Sequence, residues 1–160
     1  MRVAGIDADS RQITAFVIEG GDGTGVSGTG WIRLEAEGRR AQDRFPSLVG
    51  KIAERGVAFL ANCDYVYIER PFVGPNRKAA IDTGMVIGAL RAHLYAHGIP
   101  HSEVDPAIWK KAVLGNGGAS KEEIAGWARG RFDIADDAPQ DTFDAACIAA
   151  YGYAARLGTP

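Results

Sequence analysis

Four acidic side chains lie in parts of the sequence where a charge is costly to bury. Asp7 ends the apolar run MRVAGID, and Glu69 ends the apolar run DYVYIE. Asp141 and Asp144 lie near the start of the apolar segment PQDTFDAACIAAYGYAARL. An acid in a buried strand is expensive unless a positive group pairs with it, and no Lys or Arg adjoins Asp7. Two divalent cations held by all four carboxylates would compensate this charge, and such ion pairs cleave phosphodiester bonds.

The spacing within each pair of acids bears on this hypothesis. Asp141 and Asp144 are three residues apart in a predicted helix, so they share one face. Alternatively, they only favour the positive end of the helix dipole, which is worth about 0.3–1 kcal/mol each. If their strands are neighbours, Asp7 and Glu69 face each other. They would then repel each other unless a cation binds between them.

The pattern of apolar residues predicts one α/β domain that spans residues 1–160. Strands are predicted at 2–8, 12–19, 31–36, 64–69 and 100–104, with the Gly-rich segment 20–30 as a flexible connection before the third strand. Helices are predicted at 41–61, from the loop RPFVGPN to about 97, from 106, at 121–132 and at the end of the chain. Three antiparallel strands followed by strands that alternate with helices predict a mixed five-stranded sheet with helices on both faces.

The composition of the chain bears on where in the cell the protein is expected. The chain has 160 residues and is 46% hydrophobic, which is enough for one proper core. It contains neither an apolar stretch of about 20 residues nor an export signal at its N-terminus, so neither a membrane nor secretion is predicted. Cys63 and Cys147 lack any CxxC spacing and are predicted to be buried thiols in a reducing compartment. We therefore expect a cytoplasmic protein.

Basic residues are concentrated in the middle of the chain. Residues 70–131 carry nine Lys or Arg and five Asp or Glu, whereas residues 132–160 carry one Arg and five Asp, within a net charge of −2. This distribution suits a protein that grips phosphates with one region and holds cations with another, although a solvated mixed surface gives similar counts. The candidate DNA-binding residues are Arg70, Arg77, Lys78, Lys110, Lys111 and Lys121.

Two loops carry specific candidates for nucleic-acid contact. Phe72 lies in a loop with basic residues and could stack on an unpaired base, or it could instead cap the core. Lys110, Lys111 and Lys121 flank GNGGAS, and backbone amides of a Gly-rich loop that enters a helix favour phosphate. Solvated lysines beside a simple loop are the alternative. The order of a Walker loop is missing, which excludes nucleotide hydrolysis of that type.

Four strings of the chain resemble the RuvC-type Holliday junction resolvases of the RNase H-like superfamily. They are GIDADSR, YIERPF, WKKAVLGNGGASKEEI and QDTFDAACIAA, which occur in the family's order and extend over nearly the whole chain. The resemblance implies an RNase H-like fold, in which the metal-binding catalytic acids are Asp7, Glu69, Asp141 and Asp144. It also implies that Phe72 stacks on a base near the crossover and that Lys110 and Lys121 contact DNA near the site.

The predicted activity follows from these residues and from the resemblance. We expect an endonuclease that uses two Mg²⁺ or Mn²⁺ ions to make paired nicks in a four-way DNA junction, leaving 5′-phosphate and 3′-hydroxyl ends. Lys121 or Lys110 would neutralise charge on the phosphate, so Lys121 is also a candidate catalytic residue. Paired nicks imply a homodimer, with the long helix as its candidate interface. A branch-migration motor of the host is a further candidate partner.

The chain departs from the family at one point, and rival functions remain open. The family usually has Pro-Gly after the first aspartate, where this chain has Ala8 and Asp9; Asp9 could tune metal affinity or point to solvent. The rivals are a broader nuclease for flaps, forks and loops, a ribonuclease H, and a non-enzyme fragment of the actin-like or sugar-kinase type. The abundance of Gly, Ala, Arg and Asp indicates a GC-rich bacterium or its phage as the source.

Overall fold

Three strands at the start of the chain form an antiparallel meander, and two later strands extend it into a mixed sheet. The computed structural model describes residues 1–21, 25–71 and 74–158. The strands are β1 (Arg2–Ala8), β2 (Gln12–Gly20), β3 (Val26–Glu35), β4 (Tyr65–Glu69) and β5 (His101–Val104). β4 pairs in parallel with β1, and β5 in parallel with β4, which gives the order β3-β2-β1-β4-β5. The predicted five-stranded sheet, antiparallel and then parallel, is confirmed.

The third strand is longer than predicted. We expected it to begin at Trp31, but β3 begins at Val26 and pairs with β2 through the Gly-rich segment. Two glycines of this segment lie where a side chain would disturb the pairing of β3 with β2. A Cβ on Gly28 would lie 2.8 Å from the ring of Phe16, and Gly30 has a φ of +150° beside a register shift in β2. The prediction of a flexible connection over residues 26–30 is therefore wrong, because the glycines there serve close packing and an irregular ladder.

Helices cover both faces of the sheet. One face is covered by α1 (Ala41–Lys51), which continues through a π-helical segment (Ile52–Gly56) into α2 (Val57–Leu60), and by α3 (Arg77–Ala96). The other face is covered by α4 (Pro106–Leu114), α5 (Lys121–Arg131) and α6 (Gln140–Leu157). None of the helices in the described part of the chain is long and apolar enough to cross a membrane.

The two cysteines belong to opposite faces of this core. Cys63 and Cys147 are both free and buried, as predicted. Burial raises the pKa of the Cys63 thiol to about 11 and that of the Cys147 thiol to about 12. Both side chains therefore act as small apolar groups rather than as nucleophiles.

Candidate active site

The carboxyl ends of two parallel strands bring Asp7 and Glu69 together. β1 and β4 are hydrogen-bonded neighbours in which Ile6 pairs with Ile68, so Asp7 and Glu69 follow at the same level. Side chains alternate along a strand, so Asp7 shares a face with Gly5, and Glu69 shares one with Tyr67. Both Gly5 and Tyr67 lie against α6, so both acids face that helix. The two strands are therefore neighbours, which is the condition under which Asp7 and Glu69 were expected to face each other.

The close approach of α6 to β1 places the other two acids at the same edge. A Cβ on Gly5 would lie 2.2 Å from the backbone atoms Ala145 O and Ala149 N. The helix therefore lies directly on the strand, at a distance that only glycine allows. Asp141 and Asp144 occupy the first two turns of α6, at the end of the helix that overlies the end of β1.

The electrostatics of the site reflect this crowding. The pKa of Asp7 is raised to about 8. Burial is the largest cause, and the smaller causes are the negative charges of Glu69, Asp144, Asp141 and Asp9. Burial is also the main cause that raises the pKa values of Glu69 and Asp144. Among the described residues, none donates a hydrogen bond to Asp7 or compensates its charge. The carboxylate of Asp7 is thus costly to ionise in the absence of a cation, and a bound cation would favour its charged form.

Three of the four acids have neutral or basic partners. The indole Nε1 of Trp109 donates to Glu69 Oε2 at 2.7 Å, and Gln140 Nε2 donates to Asp144 Oδ2 at 3.5 Å. Asp141 accepts a hydrogen bond from Gln12.

Arg33 supports the partner of Asp141. Its Nε donates to Gln12 Oε1 at 3.1 Å, and its guanidinium lies 3.7 Å from Asp141 Oδ2. These hydrogen bonds do not occupy the carboxylates of the three acids fully, because an ionised carboxylate accepts about four hydrogen bonds. Each of the three acids can therefore still bind a further ligand.

The chemistry of these donors fits Mg²⁺ or Mn²⁺, both of which prefer carboxylate oxygens. Two threonine hydroxyls in the same region, those of Thr14 and Thr142, are fully buried and lack a hydrogen-bond partner among the described residues. Thr14 is the cross-strand partner of Asp7. Within residues 1–21, 25–71 and 74–158, however, no three His, Cys, Asp or Glu side chains lie close enough to surround one ion. Bound ions would have to draw the acids closer together.

Two of the predicted basic residues lie near the acids. Lys110 lies close enough to Glu69 and Asp144 to oppose the rise in both pKa values, and Lys121 does the same for Asp144. Lys121 is the first residue of α5, which begins with a capping box between Ser120 and Glu123. The Gly-rich loop thus presents a lysine beside the acidic edge, as expected for a phosphate-binding surface.

The structure shows no ion pair or hydrogen bond to the four acids for the other described candidates for DNA contact, which are Arg70, Arg77, Lys78 and Lys111. Arg70 forms ion pairs with Glu103 at 3.5 Å and Asp105 at 3.0 Å, and Lys78 forms one with Asp82 at 2.9 Å. Arg77 and Lys111 are exposed. Phe72 lies outside the described residues. The role of these five residues in DNA binding stays a prediction.

The partners of the acids were not identified from the sequence. The neutral side chains of Trp109, Gln12 and Gln140 and the charged side chain of Arg33 were missed, although a buried indole N–H usually has an acceptor. Asp9, the residue that departs from the family pattern, has a clear local role. Its Oδ1 accepts hydrogen bonds from the backbone N–H groups of Arg11 and Gln12, at 2.6 and 2.9 Å. Asp9 therefore closes the turn between β1 and β2, and its charge adds to the repulsion at Asp7.

Comparison with known proteins identifies the family of the chain. A family model described as crossover junction endodeoxyribonuclease RuvC matches residues 3–151. The chain is 36% identical to the crossover junction endodeoxyribonuclease RuvC of Chlorobaculum parvum over 128 residues, which are 78% of this chain and 66% of the relative. It is 45% identical to that of Chlorobium phaeovibrioides over 62 residues, which are 39% of this chain and 33% of the relative. The matches thus span two thirds or less of these two relatives.

A solved structure matches over nearly its full length. It is T. thermophilus RuvC in complex with a Holliday junction substrate, with a TM-score of 0.83, 27% sequence identity, and coverage of 99% of this chain and 97% of that chain. The mixed sheet with its acidic edge defines an RNase H-like domain. The chain belongs to the RuvC family.

Proposed function

We propose that this protein is a metal-dependent endonuclease that resolves Holliday junctions. The observation that carries the proposal is the environment of Asp7. Among the described residues, none compensates the charge of its carboxylate, whose pKa is raised by burial and by the charges of Glu69, Asp144 and Asp141. Membership of the RuvC family supports the same function. So does the structural match to T. thermophilus RuvC, which was solved in complex with a Holliday junction substrate.

The acids and the nearby lysines would divide the work between them. Asp7, Glu69, Asp141 and Asp144 would hold two Mg²⁺ or Mn²⁺ ions, with Asp7 as the shared ligand. When bound, the ions would activate a water molecule and stabilise the leaving 3′ oxygen, which gives 5′-phosphate and 3′-hydroxyl ends. Lys110 and Lys121 would neutralise charge on the phosphate, which the acids would otherwise repel.

A panel of branched substrates tests this function. Wild-type protein with Mg²⁺ is expected to nick a synthetic four-way junction at paired positions in opposite strands, leaving ends that ligase can seal. Equal cleavage of flaps and forks would identify the broader structure-selective nuclease instead, and preferred cleavage of an RNA–DNA hybrid would identify a ribonuclease H. A junction that stays uncut in Mg²⁺ and in Mn²⁺ would overturn the proposal. The proposal includes a cytoplasmic location and a branch-migration motor of the host as a candidate partner.

Paired nicks would require two active sites, and the outer face of α3 suits a homodimer. Ile81 and Met85 lie one turn apart on this face and are 63% and 50% exposed. The small residues Gly84, Gly88 and Ala92 recur every four positions and allow a second helix to approach closely. A twofold interface would use the same face of both copies.

Substitution on α3 tests the dimer. The change Ile81→Glu is expected to shift the protein from dimer to monomer in sedimentation and to uncouple the two nicks, because the buried glutamates of both copies would meet at the twofold axis. Leu157→Glu, at an equally exposed leucine on α6, is the matched control and should leave the dimer intact. An Ile81→Glu protein that sediments as the wild type does would place the interface elsewhere.

A further inference from the structure

Trp109 is the largest fully buried side chain among the described residues, and its polar atom points at the acidic edge. Its indole ring packs in the core between the sheet and the helices α4, α5 and α6. Its Nε1 donates a hydrogen bond to Glu69 Oε2 at 2.7 Å. An apolar side chain of similar size would fill the same space. The position therefore combines packing with a hydrogen bond that only an N–H donor supplies.

This hydrogen bond restricts a side chain that would otherwise be mobile. Glu69 is the last residue of β4, and a glutamate has three side-chain torsions to order. A hydrogen bond of 2.7 Å to a carboxylate is short and charge-assisted. In the described part of the chain, Oε2 accepts only this bond, and Oε1 accepts none. The hydrogen bond therefore holds Oε2 of Glu69 next to α4 and leaves Oε1 available for another ligand.

The same helix supplies a second residue to the site. Lys110 follows Trp109, and its Nζ lies 5.4 Å from the centre of the indole ring. It also lies near enough to Glu69 and Asp144 to oppose the rise in their pKa values. The first turns of α4 thus place two groups near the acids: the neutral indole N–H of the buried Trp109 and the positive charge of the partly exposed Lys110. Pro106 fixes the start of this helix after Asp105.

We propose that Trp109 is a positioning residue, whose indole N–H orients the carboxylate of Glu69 so that its second oxygen can bind a divalent cation. The inference rests on the proposed function, which makes Glu69 a metal ligand. Hydrogen bonds from a neighbouring group to a metal ligand are typically worth 10- to 100-fold in metal affinity. We therefore expect a loss of this size when the N–H is removed and the packing is kept.

Mn²⁺ binding by calorimetry, without DNA, measures this effect. Trp109→Phe should weaken Mn²⁺ binding by about 10-fold or more. Trp127→Phe is the matched control, since Trp127 packs against Phe132 and, in the described part of the chain, forms no hydrogen bond with the four acids. This variant should bind Mn²⁺ as the wild type does. If Trp109→Phe does not fold, benzothienylalanine at position 109 serves instead, because it keeps the size of indole and lacks the N–H.

A double substitution separates positioning from packing. In a Glu69→Ala background, Trp109→Phe should cause no further loss of Mn²⁺ affinity, because the carboxylate that it orients is gone. Equal losses in both backgrounds would show that Trp109 only supports the fold and would overturn the inference. If Trp109→Phe binds Mn²⁺ with wild-type affinity, the inference is overturned while the proposed function stands. Wild-type protein that binds no Mn²⁺ would instead overturn the proposed function itself, and the inference with it.

Discussion

Asp7→Asn is expected to lower the rate of junction cleavage by at least about 1,000-fold, or roughly 4 kcal/mol of transition-state stabilisation. The charges of Glu69, Asp144 and Asp141 all act on Asp7, so we expect its carboxylate to be shared between the two ions. An amide keeps the size of the side chain but loses the charge and one acceptor oxygen. Single-turnover cleavage of a synthetic four-way junction in Mg²⁺ measures the loss.

The control for this change is an acid outside the site. Asp137 is exposed in the turn before α6, and Asp137→Asn should cleave the junction at the wild-type rate. Undiminished cleavage by Asp7→Asn would remove Asp7 from the catalytic set.

The same substitution is expected to stabilise the metal-free protein. The Asp7 carboxyl would ionise near pH 3.8 in the unfolded chain but near pH 8 in the folded one. Between these values the folded state binds more protons, so the wild type loses stability as the pH rises from about 4 to about 8. Asparagine removes this penalty, which should raise the free energy of unfolding at pH 8 by roughly 1–3 kcal/mol and change it little at pH 4.

Urea unfolding in EDTA at the two pH values measures this difference. A gain in stability combined with a loss of cleavage is typical of an acid kept for function, because structure alone would favour its removal. An Asp7→Asn protein that is less stable than the wild type at pH 8 would show that the carboxylate has a favourable partner in the folded state.

Gly5→Ala is expected to have the largest effect on the fold, a loss of at least about 3 kcal/mol in the free energy of unfolding. The added methyl group would lie 2.2 Å from backbone atoms of α6, and backbone cannot move aside as a side chain can. Where the variant still folds, α6 must shift away from β1 and carry Asp141 and Asp144 away from Asp7. We therefore expect cleavage to fall as well.

Gly126→Ala is the matched control for this change. Gly126 lies in α5, and a Cβ there would meet nothing within 4 Å. Alanine should therefore stabilise the protein by about 0.5–1 kcal/mol through its helix propensity. Thermal unfolding compares the two variants. A Gly5→Ala protein with the wild-type melting temperature would contradict the direct contact between α6 and β1.

Much of the fold could be predicted because its signals are local. The runs that form β1 and β4 are apolar, short and bounded by polar residues, and the four acids stand out because they interrupt apolar segments. The start of β3 could not be predicted in this way. Its glycines at 28 and 30 have low strand propensity, and their value lies in contacts with Phe16 and in the irregular pairing with β2.

The partners of the acids depend on tertiary structure, which explains why the sequence did not reveal them. Trp109 and Glu69 are forty residues apart, and only the tertiary packing of α4 brings the indole N–H to the carboxylate at the end of β4. Gln12 donates a hydrogen bond to Asp141, and these two residues are still farther apart in the sequence. Neutral side chains of this kind also carry no charge pattern that could mark them, whereas Lys110 and Lys121 were found through their charge and their Gly-rich loop.

The position of Mn²⁺ in crystals of the wild-type protein, measured by anomalous diffraction, tests directly whether the four acids form a two-metal site. We expect two peaks about 4 Å apart, with the carboxylates of Asp7, Glu69, Asp141 and Asp144 drawn in around them. We also expect Glu69 Oε2 still to accept the hydrogen bond from Trp109 while Oε1 faces an ion. Peaks elsewhere on the surface, with the four acids apart and still bound to their present partners, would contradict the two-metal site.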